Sequence, residues 1–456
     1  MPLQLVDPFR VAPLKDVPFD SFGDVDRKIE RARAAQRSWC HVPLAERVRE
    51  VQHAVQYFAA HEAEIARDVS QQMGKPIREA RGEVKTLLAR AECMSALAGE
   101  ALAPVPVPGK PGFTLRIEHA PVGLVLDIAS WNYPLIVPVN VVVPALLAGN
   151  AVLLKHSPLT PLAGAHFERA FETLSIQGLV QNVVVSNQDA EHLVADKRID
   201  YVSFTGSVAT GKRVYRTASQ RVVGVGLELG GKDPAYVAED ADLDFAAANV
   251  VDGACYNAGQ SCCAVERAYV HHAHYDAFLV KAKKALEEYV LGDPLLETTT
   301  MGPIARKEQL EVLELHVRDA LQRGARLVTG GKRPSHLSGW FFEPTLLADV
   351  PNDALVMQEE TFGPILPVAR VGDDEEALAR MNDSRYGLTA SVWTKNAARA
   401  ERFARELQAG TVYQNRCDYL DPALAWTGWK ESGLGSTLSR FGFAAFTRKK
   451  SIHFRA

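Results

Sequence analysis

"YVSFTGSVATGKRVYRTA", residues 201–218, is an apolar run that passes through Gly206-Ser207 into a helically spaced segment, with Gly211 in its first turn. A strand that turns on a glycine straight into a helix is half of a βαβ unit. Working outward, the same alternation fills residues 121–230. The predicted strands are "VGLVLDIA" (122–129), "AVLLK" (151–155), "VVVS" (183–186) and "VVGVGLELG" (222–230). Helical patterns lie around 134–148, 161–173, 188–196 and 207–219. This order predicts a parallel sheet whose ligands sit beyond the carboxyl ends of its strands. Backbone N–H groups and the helix dipole near residue 207 suit a pyrophosphate, so Gly206, Ser207 and Gly211 are candidate phosphate contacts. Gly224, Gly226 and Gly230 nearly spell a second fingerprint, but the spacing is one residue too long and no helix opens there.

The flanks organise around this unit. The first hundred residues read as long helices, with Asp24 as the cap of the first. "APVPVPGKPGF" (103–113), with four prolines, ends them, and strands follow. Beyond residue 240 a second α/β set is predicted. Its helices lie near 243–257, 275–289 and 305–323, and its strands at "ERAYVHH", "ARLVTG", "LTASVWT" and "GTVYQN". The chain closes on a short alternating strand in "AAFTRKKSIHFRA".

At 456 residues the chain is too long for one ordinary core. Apolar residues make up 47% and charged residues 23%, with a formal net charge of −4. No run of like charges suggests a nucleic-acid partner. Ile128–Leu154 is 27 residues without a charge. Its prolines, asparagines and glycine fit a buried helix and a buried parallel strand better than a membrane span. With no signal-like N-terminus and no CxxC among the six cysteines, a cytoplasmic protein with reduced thiols is expected.

Four places carry chemistry. "NAGQSCCAVER" (257–267) sets Cys262 beside Cys263 after a small, turn-forming lead-in. Neighbouring side chains on an extended stretch face opposite ways, so one cysteine at most addresses a given cleft. "LELGGKDP" (227–234) ends a strand on Glu228 and then turns on two glycines. "SWNYPL" (130–135) places Asn132 after the first strand, where a side-chain amide could meet a developing oxyanion. "GNAVLLKHSPLTP" ends a strand on Lys155, suited to ribose hydroxyls or a phosphate. The "HHAH" run (271–274) joins a strand to a helix and is read as holding no metal.

Together these motifs, with "EETFGP" and "KESGLG", resemble the aldehyde dehydrogenase superfamily along essentially the whole chain. Glu228 and Cys262 stand 34 residues apart, the separation that family requires. The resemblance implies an α/β, aldehyde dehydrogenase-like fold. A Rossmann-type cofactor domain would span 1–103 and 121–228, and a second α/β catalytic domain 229–435. A small β oligomerisation arm would comprise 104–120 and 436–456, in a homodimer or homotetramer. It implies Cys262 as nucleophile, Glu228 as base and Asn132 as oxyanion donor. The cofactor, NAD or NADP, would lie against Lys155, Ser157, Gly206, Ser207, Gly211, Trp131, Glu360 and Phe362. An aldehyde would reach Cys262 through a largely apolar passage lined by Tyr133, Val137, Asn140, Tyr256, Ser261, Cys263, Leu420 and Trp426, with Arg416 and Asp418 nearby.

Three departures from the family pattern matter. Lys155 is followed by His156-Ser157-Pro158, with Pro158 at the place of the glutamate that grips ribose hydroxyls in many NAD-preferring members, so NADP stays open. Val141 and Thr437 replace a lysine and a glutamate that relay protons in some members. Asn140 stands where some members acting on carboxylate substrates carry arginine. Two other readings remain: a coenzyme A-acylating enzyme, from which Glu228 argues away, and a catalytically retired cofactor-binding protein, from which the intact Asn132, Glu228 and Cys262 argue away.

Overall fold

The structure, a computed structural model, describes residues 2–455; Met1 and Ala456, the outer limits of the expected cofactor domain and arm, lie outside the described residues. Its centre is a six-stranded sheet. Five strands, Leu124–Ile128, Ala151–Lys155, Val180–Asn182, Tyr201–Thr205 and Gly224–Glu228, pair in parallel. Leu124–Ile128 lies between Ala151–Lys155 on one side and Tyr201–Thr205 on the other, so the chain reverses direction across the sheet at that strand. A crevice opens at such a reversal, and the carboxyl ends that frame it lead to Asn132, Lys155 and Gly206.

The uncharged stretch folds as the helix Ile136–Leu147 followed by the strand Ala151–Lys155, both deeply buried. Apolar residues all round the helix suit it to packing on every side rather than to a solvent-facing surface. Among the described residues no helix is long and apolar enough to cross a membrane.

A second sheet of seven strands runs in the order Arg326–Thr329, Thr345–Ala348, Ile365–Val371, Val265–His271, Asp233–Val237, Thr389–Trp393, Thr411–Gln414. All its pairings are parallel except that of the first two strands. Each sheet has its own apolar core. A third, small cluster of Cys263, Leu388, Trp426 and Leu438 is packed against Cys262 and Leu420. The pairing of Thr447–Arg455 with Phe113–Pro121, extended by Val105–Pro106, forms a separate antiparallel sheet.

The structure corrects several expectations. The chain opens on a hairpin, Leu3–Asp7 with Ala12–Val17, where helices were expected. Ser21 caps the first helix and Asp24 completes a reciprocal capping box from inside it. The third strand of the first sheet is Val180–Asn182, not 183–186, because Ser186 is already the cap of the next helix. Gly433–Leu434, expected in the catalytic domain, pairs with Leu227–Glu228 at the edge of the first sheet. Phe443 and Phe446, expected in the arm, are buried in the first core.

Candidate active site

The Cys262 loop is built on unusual backbone. Asn257, Ala258 and Gly259 all have positive φ (52°, 56° and 69°). Asn and Gly tolerate this conformation readily, whereas Ala258 holds it at a cost of about 1–2 kcal/mol. A hydrogen-bond net fixes the turn. Asn257 Nδ2 donates to the Asn132 and Gln260 carbonyls, both at 3.1 Å, and Gln260 Nε2 returns a bond to Asn257 O. The Ala305 N–H donates to Gln260 Oε1 at 2.9 Å. "NAGQ" is thus the splint that holds the Cys262 loop against the loop carrying Asn132.

The two cysteines part company here. Cys262 is partly exposed, while Cys263 is 2% exposed. The Cys263 thiol donates to Asp418 Oδ1 at 2.9 Å. Its contact with Cys262, together with burial, pushes its pKa well up, so it stays a neutral thiol. Ser261 Oγ donates to the same Asp418 oxygen at 2.9 Å. Asp418 is itself raised to about 6 by burial.

Asn132 is buried, its Oδ1 accepting from Ser130 Oγ (2.8 Å) and its Nδ2 donating to Gln260 O (3.2 Å). An amide nitrogen has two hydrogens, so a second N–H remains for an oxyanion. Glu228 closes the strand Gly224–Glu228, as its motif predicts. Oε1 accepts from Thr437 Oγ1 at 3.3 Å, and Oε2 is buried with no partner among the described residues. Desolvation raises its pKa to about 8 against the opposing Thr437 hydrogen bond. A Cβ on Gly231 would come 2.4 Å from the Cys262 carbonyl oxygen, so a side chain there would push the Glu228 and Cys262 segments apart.

Cys262 and Glu228 line one cavity of about 550 Å³, within the ordinary range for small-molecule sites. All eight predicted passage residues line it too: Tyr133, Val137, Asn140, Tyr256, Ser261, Cys263, Leu420 and Trp426. Val141 and Thr437 are also in its wall. The wall is largely apolar, with Arg90, Asp252, Asp418 and Asn249 standing among the aromatics. Arg90 went unnoticed in the sequence; it sits in an ordinary amphipathic helix, Ile77–Ala101, with no motif around it. Arg416, flagged as nearby, lies at 3.4 Å over the Tyr419 ring and is exposed.

Along the other side of the crevice stand the predicted cofactor residues. Lys155 is buried, with Nζ donating to Asn187 Oδ1 at 3.1 Å and its pKa lowered to about 8 by desolvation. His156 is held neutral by burial, its pKa near 4, between Pro134 O and Thr160 Oγ1. Ser157 Oγ accepts from Leu159 N–H at 3.3 Å, which leaves its own hydrogen free to donate. Ser207 caps the helix Val208–Ala218, whose first-turn N–H groups have no helical carbonyl to bind. Gly206 N–H is spent on Glu228 O (3.0 Å).

Gly211 is a correction. Its N–H donates to Ser207 O, and a Cβ there would lie 2.5 Å from a Leu229 methyl. It lets the helix approach the sheet and offers no free donor to a phosphate. Trp131 and Phe362 meet edge to face at 5.5 Å. Phe362 has φ +50° and is clamped because Glu266 accepts both the Thr361 and Phe362 N–H groups. Glu360 accepts from Gly231 N–H at 3.3 Å, and desolvation raises its pKa to about 8. Ser207 with the open helix start, Lys155, the Ser157 hydroxyl and the Trp131–Phe362 wall therefore fit a dinucleotide.

With this geometry in place, the comparisons with known proteins agree. The Aldehyde dehydrogenase family model matches residues 2–452. The chain is 35% identical to the succinate-semialdehyde dehydrogenase [NADP(+)] of Deinococcus radiodurans, over 99% of this chain and 94% of that one. Among solved structures, 3,6-anhydro-L-galactose dehydrogenase in complex with NAP superposes with a TM-score of 0.94 at 31% identity, covering 99% of this chain and 96% of that one. Betaine aldehyde dehydrogenase from Staphylococcus aureus in complex with NAD+ gives 0.94 at 30% identity, covering 99% and 90%. The chain belongs to the aldehyde dehydrogenase family. It is an enzyme that oxidises aldehydes with NAD or NADP.

Proposed function

We propose that the oxidation runs on Cys262, Asn132 and Glu228 and ends in hydrolysis to a carboxylic acid. One observation carries this reading: a partly exposed thiol and a buried carboxyl with an unpartnered oxygen line the same cavity. The Cys262 thiolate attacks the aldehyde carbon, and the free Asn132 N–H with the Cys262 backbone N–H holds the oxyanion. The nicotinamide, when bound, supplies the hydride acceptor that makes the adduct a thioester. Glu228 takes a proton from the water that attacks this thioester, releasing the acid and the thiolate. As a group with a pKa of about 8, it is a neutral acid at neutral pH and becomes the working base as pH rises. Thr437, standing where some relatives have a glutamate in a proton relay, instead gives Glu228 a hydroxyl donor and leaves the cavity as its proton route.

The test is turnover with a short aldehyde, product identified by mass, in the presence and absence of coenzyme A. Free acid formed at the same rate in both supports the reading. Acyl-coenzyme A as the product would replace it with acyl transfer, and reduction of neither cofactor with any aldehyde would leave a retired binding protein. Both NAD and NADP are accepted in this reading, with Ser157 leaving room for a 2′-phosphate. The sheet of Thr447–Arg455, Phe113–Pro121 and Val105–Pro106 leaves Thr447–Arg455 as an open edge with Phe454 exposed, which supports a homodimer or homotetramer. Six free cysteines and a nucleophile that works as a thiol support a reducing, cytoplasmic setting.

A further inference from the structure

Asp418 grips the Cys262 loop through both neighbours of Cys262. A turn closes from Ala264 N–H to Ser261 O at 3.3 Å, with Cys262 and Cys263 at its corners. The side chains that flank Cys262 converge on one oxygen, since Ser261 Oγ and Cys263 Sγ each donate to Asp418 Oδ1 at 2.9 Å. An ionised carboxylate only accepts, so the hydroxyl and the thiol are both committed as donors. A thiol has one hydrogen, and that of Cys263 is spent here. Cys262 is left as the partly exposed member of the pair, in the wall of the cavity.

Asp418 stands on a braced support. It follows the strand Thr411–Gln414, in a loop where Asn415 and Asp418 both have positive φ (53° and 44°). Asn and Asp enter this conformation more readily than other side chains, and it persists where surrounding contacts fix it. Asn415 clamps Thr394, accepting from its N–H and donating to its O, both at 2.9 Å. Tyr413 donates to Tyr419 O, and the Cys417 thiol to Asn249 O at 3.3 Å. Lys75, the cation whose charge Asp418 feels, is paired with Glu83 and lies over the Tyr133 ring. Ser261 and Cys263 are therefore the hydrogen-bond partners of the Asp418 carboxylate among the described residues.

We propose that Asp418 is a positioning residue for Cys262. By holding the residues on either side, it turns the Cys262 thiol toward the reacting carbon and keeps Cys263 out of the chemistry. The proposal rests on the reading of Cys262 as nucleophile and deepens it.

The test compares wild type with Asp418→Ala, which removes the acceptor, and Asp418→Asn, whose side-chain oxygen can still accept both bonds. At saturating cofactor and aldehyde, single-turnover cofactor reduction should fall about 10- to 100-fold in Asp418→Ala, the effect of a reacting group displaced by an ångström. Asp418→Asn should return to within about threefold of wild type, and KM for the aldehyde should change little in either variant. A loss carried by KM alone would make Asp418 part of the substrate wall, and equal losses in both variants would make it merely structural. Either result overturns the proposal, as does an unchanged rate in Asp418→Ala. Should Asp418→Ala not fold, Ser261→Ala combined with Cys263→Ala deletes the same two bonds and leaves the Asp418 backbone untouched. A loss of the same size supports the proposal, and a wild-type rate overturns it.

A second arm needs no turnover. In a Cys262→Ser background, iodoacetamide labelling with peptide mapping follows the Cys263 thiol. Asp418→Ala should speed its alkylation at least about tenfold, because the thiol loses both its acceptor and the negative charge that keeps it protonated. An unchanged rate overturns the proposal while leaving aldehyde oxidation on Cys262 standing. If wild type reduced neither cofactor with any aldehyde, the nucleophile reading would fall and take this proposal with it.

Discussion

The two sides of the crevice differ in how they are made. The cofactor side is largely local, because Lys155, Ser207 and the open turn at 208 each follow directly from the end of a strand. The substrate side draws on distant segments: Arg90 from one helix, Tyr133 to Val141 from a loop and the helix it enters, Phe245 to Gly253 from a third helix, Tyr256 to Cys263 from a strained loop, and Arg416 to Thr437 from near the C-terminus, beside the strand-end residues Thr205, Glu228 and Leu229. A local motif announces itself in sequence. A wall assembled from separate segments has no spacing to read, and there the expected apolar passage turned out to hold Arg90.

The sharpest way to break this picture is at the cysteine pair. Cys262→Ala should lose at least about 10⁴-fold in cofactor reduction, since removal of a nucleophile leaves only binding and oxyanion stabilisation. Cys263→Ala should stay within about tenfold, because its thiol is a neutral donor to Asp418. The reverse result would move the nucleophile one residue along and reassign the wall.

Next comes Glu228. Glu228→Gln should retain a rapid first turnover and slow the steady state by about 10²–10⁴-fold. In the wild type, steady-state turnover limited by deacylation should rise with pH through about 8, as the raised carboxyl deprotonates. A flat profile between pH 6.5 and 9 in stopped-flow and steady-state assays would remove Glu228 from the base role.

On the cofactor side the effect is smaller. Ser157→Glu should raise KM for NADP about tenfold or more relative to NAD, by setting a carboxylate against the 2′-phosphate. Parallel changes for both cofactors would mean that the ribose lies elsewhere.

The smallest effect concerns stability. Asp127 is fully buried in the strand Leu124–Ile128, and both its oxygens lack partners among the described residues. Burial raises its pKa well above the usual carboxylate range. The folded chain therefore keeps a proton that the unfolded chain releases above about pH 4, and stability falls as pH rises through that window, by at most about 1.4 kcal/mol per unit. Asp127→Asn should flatten the decline in Tm between pH 5 and 8, measured by calorimetry without cofactor. An unchanged slope would mean that Asp127 is ionised in the fold.

Reading the chain alone located most of the elements and the motifs that meet at the candidate site, for a physical reason. Strand and helix periodicity, turn glycines and a carboxylate at a strand tip are consequences of backbone geometry within a few residues. The opening hairpin was missed because two short, proline-bearing strands carry too little alternation, and Val180–Asn182 because its register depends on pairing with Val152–Leu154. Gly211 looked like a phosphate contact, yet its role is decided by Leu229, eighteen residues on and across the sheet.

What the sequence determined by itself is the identity and order of Asn132, Lys155, Ser207, Glu228 and Cys262, each at the end of a local element. Only the tertiary structure decided which cysteine is available, that Thr437 meets Glu228, and that Arg90 joins the cavity wall with Cys262. Burial and charge pairing belong to contacts between residues far apart in the chain, and these exist only once the two cores have closed on each other.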